Sequence, residues 1–128
     1  MRALLLALAF VSTPAFANDE NWIEIDQQSN GSVLYYDSES IRGIGDLKVT
    51  IWTKFDHSKN NKVKARQSRD KFRVDCAAET LTLLFSIHYD ANNNVIESQN
   101  FTGSMQQAKL VVPGTSGDEV YKVACAGI

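Results

Sequence analysis

The sequence predicts an α+β domain that is mainly β, with a single antiparallel sheet of five or six strands and a short C-terminal helix. Three observations predict this fold. Apolar and polar residues alternate with a period of two over much of the region 22–112. Turn signals such as Asn30-Gly31 separate the alternating runs. A helical spacing of apolar residues begins only after Ser116.

The first 17 residues are typical of a secretory signal peptide. Arg2 supplies the positive charge, Ala3–Val11 form a short apolar run, and Ala15-Phe16-Ala17 offer small residues at the two positions that a signal peptidase reads. We therefore expect residues 1–17 to be removed and residues 18–128 to fold as one domain. No cysteine follows the apolar run, so the signal is not of the lipoprotein type. The expected location is the periplasm, the medium or the cell surface.

The strands before the middle of the chain follow the same period of two. Asn30-Gly31 predicts a hairpin, because both residues tolerate a positive φ. A capped helical turn over residues 37–42, closed by Gly43 and Gly45, precedes a strand in which Leu47, Val49, Ile51 and Phe55 point inward. The predicted strands of this first part are Trp22–Asp26, Ser32–Asp37 and Leu47–Phe55.

A central hairpin organises the rest of the sheet. Phe72, Val74 and Cys76 alternate with charged residues, and the residues of 80–89 alternate again after a short connection. Because the apolar positions change parity between Val63 and Phe72, a bulge or break is expected near residues 68–70. The predicted core is Leu47, Val49, Ile51, Phe72, Val74, Leu83, Phe85 and Ile87.

The C-terminal part supplies a further strand, an extended segment and the helix. Residues 95–101 alternate, and residues 110–112 run extended into Pro113-Gly114. Ser116 is expected to cap the helix, with Glu119 completing a capping box. Val120, Val123 and Ala124 fall on one helical face.

Two cysteines, Cys76 and Cys125, are the only ones in the chain. In an exported protein they have one intramolecular pairing available, and the bond would hold the helix against the sheet. Closing a loop of this length stabilises a protein by about 4 kcal/mol in the chain-entropy estimate. A zinc site would need more cysteine or histidine ligands than the chain provides.

No catalytic constellation is recognisable in the sequence. His57 and His88 stand outside any known motif, and the chain contains no glycine-rich phosphate loop, nucleophile elbow or HExxH. We therefore expect a non-enzymatic protein with no catalytic, cofactor-binding or metal-binding residues. After signal removal the net charge is −3, which argues against nucleic-acid binding.

Positive charge is concentrated in one segment. Residues 54–73 contain eight of the twelve basic residues that remain after signal removal, opposed only by Asp56 and Asp70. Such a segment could bind an acidic partner, such as a sulfated glycan, an acidic protein segment or anionic lipid. It could equally be a solvated edge strand protected by lysines. The candidate partner-binding residues are Lys59, Lys62, Lys64, Arg66, Arg69, Lys71 and Arg73. Alternation along a strand would place Lys62, Lys64 and Arg66 together on the outer face.

The order of several short motifs resembles the surface-adhesin protein E family of small exported bacterial proteins. The motifs are Trp22, Tyr35-Tyr36-Asp37, Ser40-Ile41-Arg42, Val49-Thr50-Ile51-Trp52, Asp75-Cys76, Tyr89-Asp90, Val112-Pro113-Gly114-Thr115-Ser116 and Val123-Ala124-Cys125. The resemblance implies a twisted antiparallel sheet with a disulfide-held helix, a homodimer, and binding of host extracellular-matrix or serum proteins. The family's named adhesin is a surface lipoprotein, whereas this chain lacks the lipidated cysteine.

A second class of function stays open beside the adhesin. Small disulfide-stapled β-proteins of the periplasm can inhibit cell-wall lytic enzymes such as lysozyme. Lysozymes are commonly basic, so an inhibitor should present an acidic or polar loop. The basic segment of this chain therefore argues against an inhibitor of lysozyme.

Overall fold

The computed structural model describes residues 21–128, so the predicted signal peptide at 1–17 lies outside the described residues. The described chain folds into eight strands and one α-helix. The strands are β1 (Trp22–Gln27), β2 (Val33–Asp37), β3 (Arg42–Gly45), β4 (Lys48–Asp56), β5 (Gln67–Asp75), β6 (Thr80–Tyr89), β7 (Val95–Asn100) and β8 (Ala108–Leu110). The helix α1 spans Ser116–Cys125.

All eight strands belong to one antiparallel sheet, which confirms the predicted fold class. The main path runs β1-β2-β4-β5-β6-β7, while β3 pairs with β4 and β8 pairs with β6. The sheet therefore has two strands more than the upper value of the five or six expected. The additional strands have four and three residues, too few for a period of two to stand out in the sequence.

The hairpin of β1 and β2 turns at Asn30-Gly31 as predicted, and Gly31 is needed there for two reasons. Its φ is +95°, in the region that favours glycine. A Cβ atom at this position would also lie 2.9 Å from the backbone oxygen of Lys59. The turn consequently packs directly against the loop of residues 57–66, which joins β4 to β5.

Helix α1 and the disulfide close one face of the sheet. Val120 and Ala124 pack with Leu34, Val49, Ile51 and Val74 in the buried core. The Cys76–Cys125 bond is present, and the Tyr121 hydroxyl donates to the carbonyl of Cys76 at 2.9 Å. We call this side of the sheet the helix face. Within residues 21–128 no helix has the length and apolar character needed to cross a membrane.

The helix begins one residue earlier than the predicted capping box requires. Thr115 is the N-cap, and its side chain accepts a hydrogen bond from the backbone N–H of Asp118 at 3.3 Å. Ser116 is instead used in tertiary contacts, donating to Asp26 at 2.8 Å and accepting from Gln28 at 3.0 Å. These bonds fix the start of the helix to β1.

The predicted bulge near residues 68–70 is wrong, because the irregularity lies on the neighbouring strand. Strand β5 pairs with β4 without interruption. In the β5–β6 pairing, Lys71 opposes Phe85 whereas Phe72 opposes Leu83, so Leu84 is the extra residue. One extra residue reverses the faces of all residues beyond it. Phe85 and Ile87 therefore leave the helix face, contrary to the predicted core.

Leu47 is the other predicted core residue that the structure contradicts. Its side chain is 48% exposed. The residue lies in the turn before β4 with a φ of +53°, and its carbonyl accepts a hydrogen bond from the N–H of Cys76. Its backbone is thus held by the sheet while its side chain points to solvent. Val49, Ile51 and Val74 are buried as predicted.

Candidate functional site

The sheet face opposite the helix combines aromatic rings with basic side chains. Cross-strand partners in an antiparallel sheet share a face, so the pairings of Trp52 with Lys71 and of Lys71 with Phe85 put these three residues side by side. All the side chains of this surface are partly exposed. We call it the aromatic–basic face; it comprises Trp22, Tyr35, Trp52, Lys54, Arg69, Lys71, Arg73, Phe85, Ile87 and Tyr89.

Two of its cations lie over aromatic rings. The Lys54 ammonium is 4.9 Å from the centroid of the Trp22 ring and 4.7 Å from that of Tyr35. The Arg69 guanidinium is 5.5 Å from the Trp22 centroid and 5.6 Å from that of Tyr89. Contacts of this kind are worth about 0.5–1 kcal/mol at exposed sites, so they help to hold the long basic side chains over the rings.

Two clefts open on either side of the central pair of rings. Trp52 and Phe85 meet edge to face, with their centroids 5.9 Å apart. The first cleft, about 290 Å³, is bounded by these two rings together with Trp22, Tyr89, Asp37 and Arg69. The second, about 490 Å³, extends from the same rings toward Lys71, Arg73 and the segment that follows β7. Apolar walls with a few polar groups are typical of binding sites.

The β1–β2 side of this face carries the negative charge. Glu24 is paired with Tyr35 across the strands, and Asp37 lies beside the first cleft. Burial, with the carboxylates of Glu24 and Asp56 nearby, raises the pKa of Tyr35 above its ordinary value of 10.0. The phenol of Tyr35 is therefore neutral at physiological pH, and Lys54 lies over its ring.

The seven basic residues predicted to bind a partner are divided between two places. Arg69, Lys71 and Arg73 lie on the aromatic–basic face, in alternate positions of β5. Lys59, Lys62 and Lys64 are exposed in the loop of residues 57–66, which is not a strand. Arg66 folds back within that loop, and its guanidinium donates to the carbonyls of Asn60 and Val63. The expected outer row of Lys62, Lys64 and Arg66 on a strand does not form.

A buried polar cluster holds this loop against the sheet. The Ser32 hydroxyl lies 2.7 Å from His57 Nδ1 and accepts from the Asn60 amide at 3.0 Å. His57 Nε2 lies 3.3 Å from the hydroxyl of Ser68. Burial, and then repulsion from His88, lowers the pKa of His57 below 6.5. The Ser32–His57 pair resembles a nucleophile and its base, but Ser32 is 0% exposed and no substrate reaches it.

Asp70 is the partly buried carboxyl group of the same region. Burial raises its pKa above 3.8, although a hydrogen bond with Ser86 and the nearby His88 and His57 offset part of this effect. The Ser86 hydroxyl in turn lies 3.2 Å from His88 Nε2. Within residues 21–128 no group of three or more His, Cys, Asp or Glu side chains is arranged to hold a metal ion.

The sequence interpretation missed the aromatic half of the candidate site. The alternation that points Ile51 inward places Trp52 outward on the same strand, and a tryptophan on a polar face among lysines was a usable signal. Phe85 could not be found in this way, because its position depends on the extra residue in β6. Gln106, which accepts from Arg73 at 3.3 Å, lies in a segment without any pattern.

Comparisons with known proteins give one family. The family model described as surface-adhesin protein E matches residues 22–126. Crystal form II of Haemophilus influenzae protein E aligns with a TM-score of 0.60 and 19% identity, covering 84% of this chain and 88% of that one. Protein E from non-typeable Haemophilus influenzae aligns with a TM-score of 0.57 and 18% identity, covering 89% and 81%. At these identities the structural likeness concerns the fold. A search of curated proteins gives no match.

Proposed function

This chain belongs to the surface-adhesin protein E family, and we propose that it is a non-enzymatic, exported bacterial protein that binds host extracellular-matrix or serum proteins. The aromatic–basic face is the proposed binding surface. The family supports an adhesin-like role, and the choice of face rests on the chemistry of its side chains.

The observation that carries the proposal is the grouping of Trp52, Phe85, Lys71 and Arg73 on a face that the helix does not cover. Tryptophan, tyrosine and arginine are enriched among the residues that dominate binding energy at protein interfaces. Cations around them accelerate the encounter with acidic partners and select for those partners. The helix face, by contrast, is occupied by the protein's own core.

Charge reversal at two matched places tests this assignment. Lys71→Glu with Arg73→Glu changes the aromatic–basic face, and Lys62→Glu with Lys64→Glu makes the same change of charge in the exposed loop. Binding to immobilised matrix and serum proteins should weaken by at least about tenfold for the first pair and by less than about twofold for the second. Both variants should keep the parent melting temperature, because exposed charges contribute little to stability.

Two outcomes would overturn the assignment. Equal weakening by both pairs would mean that binding responds to overall charge. Unchanged binding by the Lys71 and Arg73 variant would remove the aromatic–basic face from the proposed interface. Trp52→Ala provides an independent check, since it removes the aromatic contact and leaves every charge in place.

Export and assembly are separate parts of the proposal. N-terminal sequencing of protein recovered from cells should begin at Asn18 if the signal peptide is cleaved as predicted. Protease treatment of intact cells separates a surface protein from a periplasmic one. The homodimer implied by the family resemblance stays a prediction, and light scattering of the purified protein tests it.

A further inference from the structure

The larger cleft of the aromatic–basic face differs from its surroundings in charge. It lies between β5, β6 and the segment that follows β7, with a volume of about 490 Å³, inside the ~300–1,000 Å³ range of small-molecule sites. Lys71 and Arg73 line it, and among residues 21–128 no carboxylate does. We call it the cationic cleft. The smaller cleft beside it contains Asp37, so the two differ in the ligands they would accept.

One cation of this cleft, Arg73, is held by neutral groups. Arg73 Nη1 donates to the side-chain oxygen of Gln106 at 3.3 Å, and the amide nitrogen of Gln106 donates to the carbonyl of Phe101 at 2.9 Å. Gln106 is thereby fixed and orients the guanidinium. Within residues 21–128 neither Lys71 nor Arg73 forms an ion pair. A guanidinium held by an amide keeps its full charge and further N–H donors for an anion.

The rest of the lining suits a ring that carries hydroxyl groups. Trp52, Phe85 and Phe101 provide apolar walls. Asn100, Thr102 and Gln106 provide neutral hydrogen-bonding groups around them. Pyranose sugars present C–H groups on their faces, which pack on aromatic rings, and hydroxyls at their edges, which bond to amides and hydroxyls.

We propose that the cationic cleft binds an acidic sugar, a pyranose bearing sulfate or carboxylate groups within a glycosaminoglycan-type chain. This inference rests on the proposed function and names the chemical class of its ligand. Lys71 and Arg73 are two residues apart on β5, so their backbones are about 6.6–6.8 Å apart along the strand. The two cations can therefore bind separate anionic groups on one or two sugar units. The three amide and hydroxyl side chains favour a sugar over an acidic peptide, which has few hydroxyls to offer them.

Titration calorimetry with defined oligosaccharides tests the proposal on the whole protein. A heparin-derived tetrasaccharide should bind, and the same tetrasaccharide after desulfation and carboxyl reduction should not. Hyaluronan oligosaccharides, which carry carboxylates alone, separate the contribution of the carboxylate from that of the sulfate. Binding of the heparin probe should weaken steeply between about 0.05 M and 0.15 M salt, since the Debye length falls to about 8 Å at the higher concentration.

Matched variants locate the site. Lys71→Ala with Arg73→Ala should weaken binding of the heparin tetrasaccharide by at least about tenfold, and Lys62→Ala with Lys64→Ala by less than about twofold. Trp52→Ala should weaken binding while leaving its salt dependence unchanged, because it removes packing and no charge. Gln106→Ala should weaken binding less than loss of Arg73, because it only frees the guanidinium. Melting temperatures of all variants confirm that each is folded.

The outcomes separate this inference from the proposed function. If no acidic oligosaccharide binds, or if polyglutamate or a single-stranded oligonucleotide binds more tightly than the tetrasaccharide, the acidic-sugar assignment is overturned. Equal weakening by the two pairs of variants would also overturn it. Matrix proteins treated with heparinase and chondroitinase complete the test. If they still bind in a manner that depends on Lys71 and Arg73 while oligosaccharides fail, the proposed function stands without this ligand.

Discussion

The two faces of the one sheet are built from the same strands and serve opposite purposes. On β4, Ile51 points to the helix face and is 0% exposed, whereas its neighbour Trp52 points to the aromatic–basic face and stays partly exposed. On β5, Val74 is buried under the helix, whereas Arg73 lines the cationic cleft. Because successive side chains of a strand point to opposite faces, one residue packs in the core and the next belongs to the proposed binding surface.

The helix face provides most of the stability of this small protein. Its buried core consists of a few aliphatic side chains from the sheet and two residues of the helix. A domain of about 110 residues has only a modest core, so the disulfide has a large share in holding the helix in place. The aromatic–basic face can then expose tryptophan and phenylalanine without being needed for folding. Substitutions on the helix face should therefore lower the free energy of unfolding, whereas substitutions on the aromatic–basic face should mainly weaken binding.

The largest effect is expected from the disulfide. Cys76→Ala with Cys125→Ala should lower the free energy of unfolding by about 4 kcal/mol, because the bond closes a loop between residues 49 positions apart. Chemical denaturation of oxidised parent and double variant measures the difference. A loss below about 1 kcal/mol would show that helix packing alone holds the helix face closed.

The next largest effect is expected at the centre of the helix face. Ile51→Ala should cost about 2–5 kcal/mol, because it leaves a cavity beneath the helix that the sheet cannot close. Urea denaturation measures the loss, and binding by the folded fraction should be unchanged. Thr50→Ala, one residue earlier on the other face, is the matched control and should change stability by less than about 0.5 kcal/mol.

An intermediate effect is expected at Phe85, where the bulge decides the face. A buried Phe85 would cost about 3–5 kcal/mol on truncation to alanine. Partial exposure on the aromatic–basic face reduces the expected loss to about 1–2 kcal/mol, and binding should fall at the same time. A stability loss as large as that of Ile51→Ala, with binding retained, would place Phe85 back under the helix.

The smallest effect on stability is expected at Asp70 and depends on pH. The pKa of Asp70 is raised in the folded protein, so its contribution to stability is fully present below 3.8 and is lost as pH rises through the folded pKa. Asp70→Asn removes this loss. The melting temperature of the variant should therefore rise relative to that of the parent as pH increases. Melting curves of both proteins from about pH 4 to pH 8 give the difference. A difference independent of pH would show that burial does not perturb this carboxyl group.

Residue patterns predicted much of the fold but only a small part of the candidate binding surface. The period of two located the long strands, and Asn30-Gly31 located the first hairpin turn. The strands β3 and β8 were not predicted, because a segment of three or four residues is too short to show a period of two. Ser116 looked like the helix cap by spacing, but the structure uses it to bind β1. The basic segment was visible as composition, yet its division between a sheet face and a loop was not.

Residue patterns alone were enough to predict the antiparallel sheet, the helix and the disulfide. The reason is that each depends on local alternation, on local spacing, or on the presence of only two cysteines. The face that Phe85 and Ile87 occupy depends instead on how β6 pairs with β5. The pattern of β6 alternates without a visible break, and the extra residue at Leu84 exists only in its pairing with β5. A shift of one residue between two strands reverses every side chain beyond it. That single shift places Phe85 beside Trp52 and Lys71, where the aromatic–basic face forms.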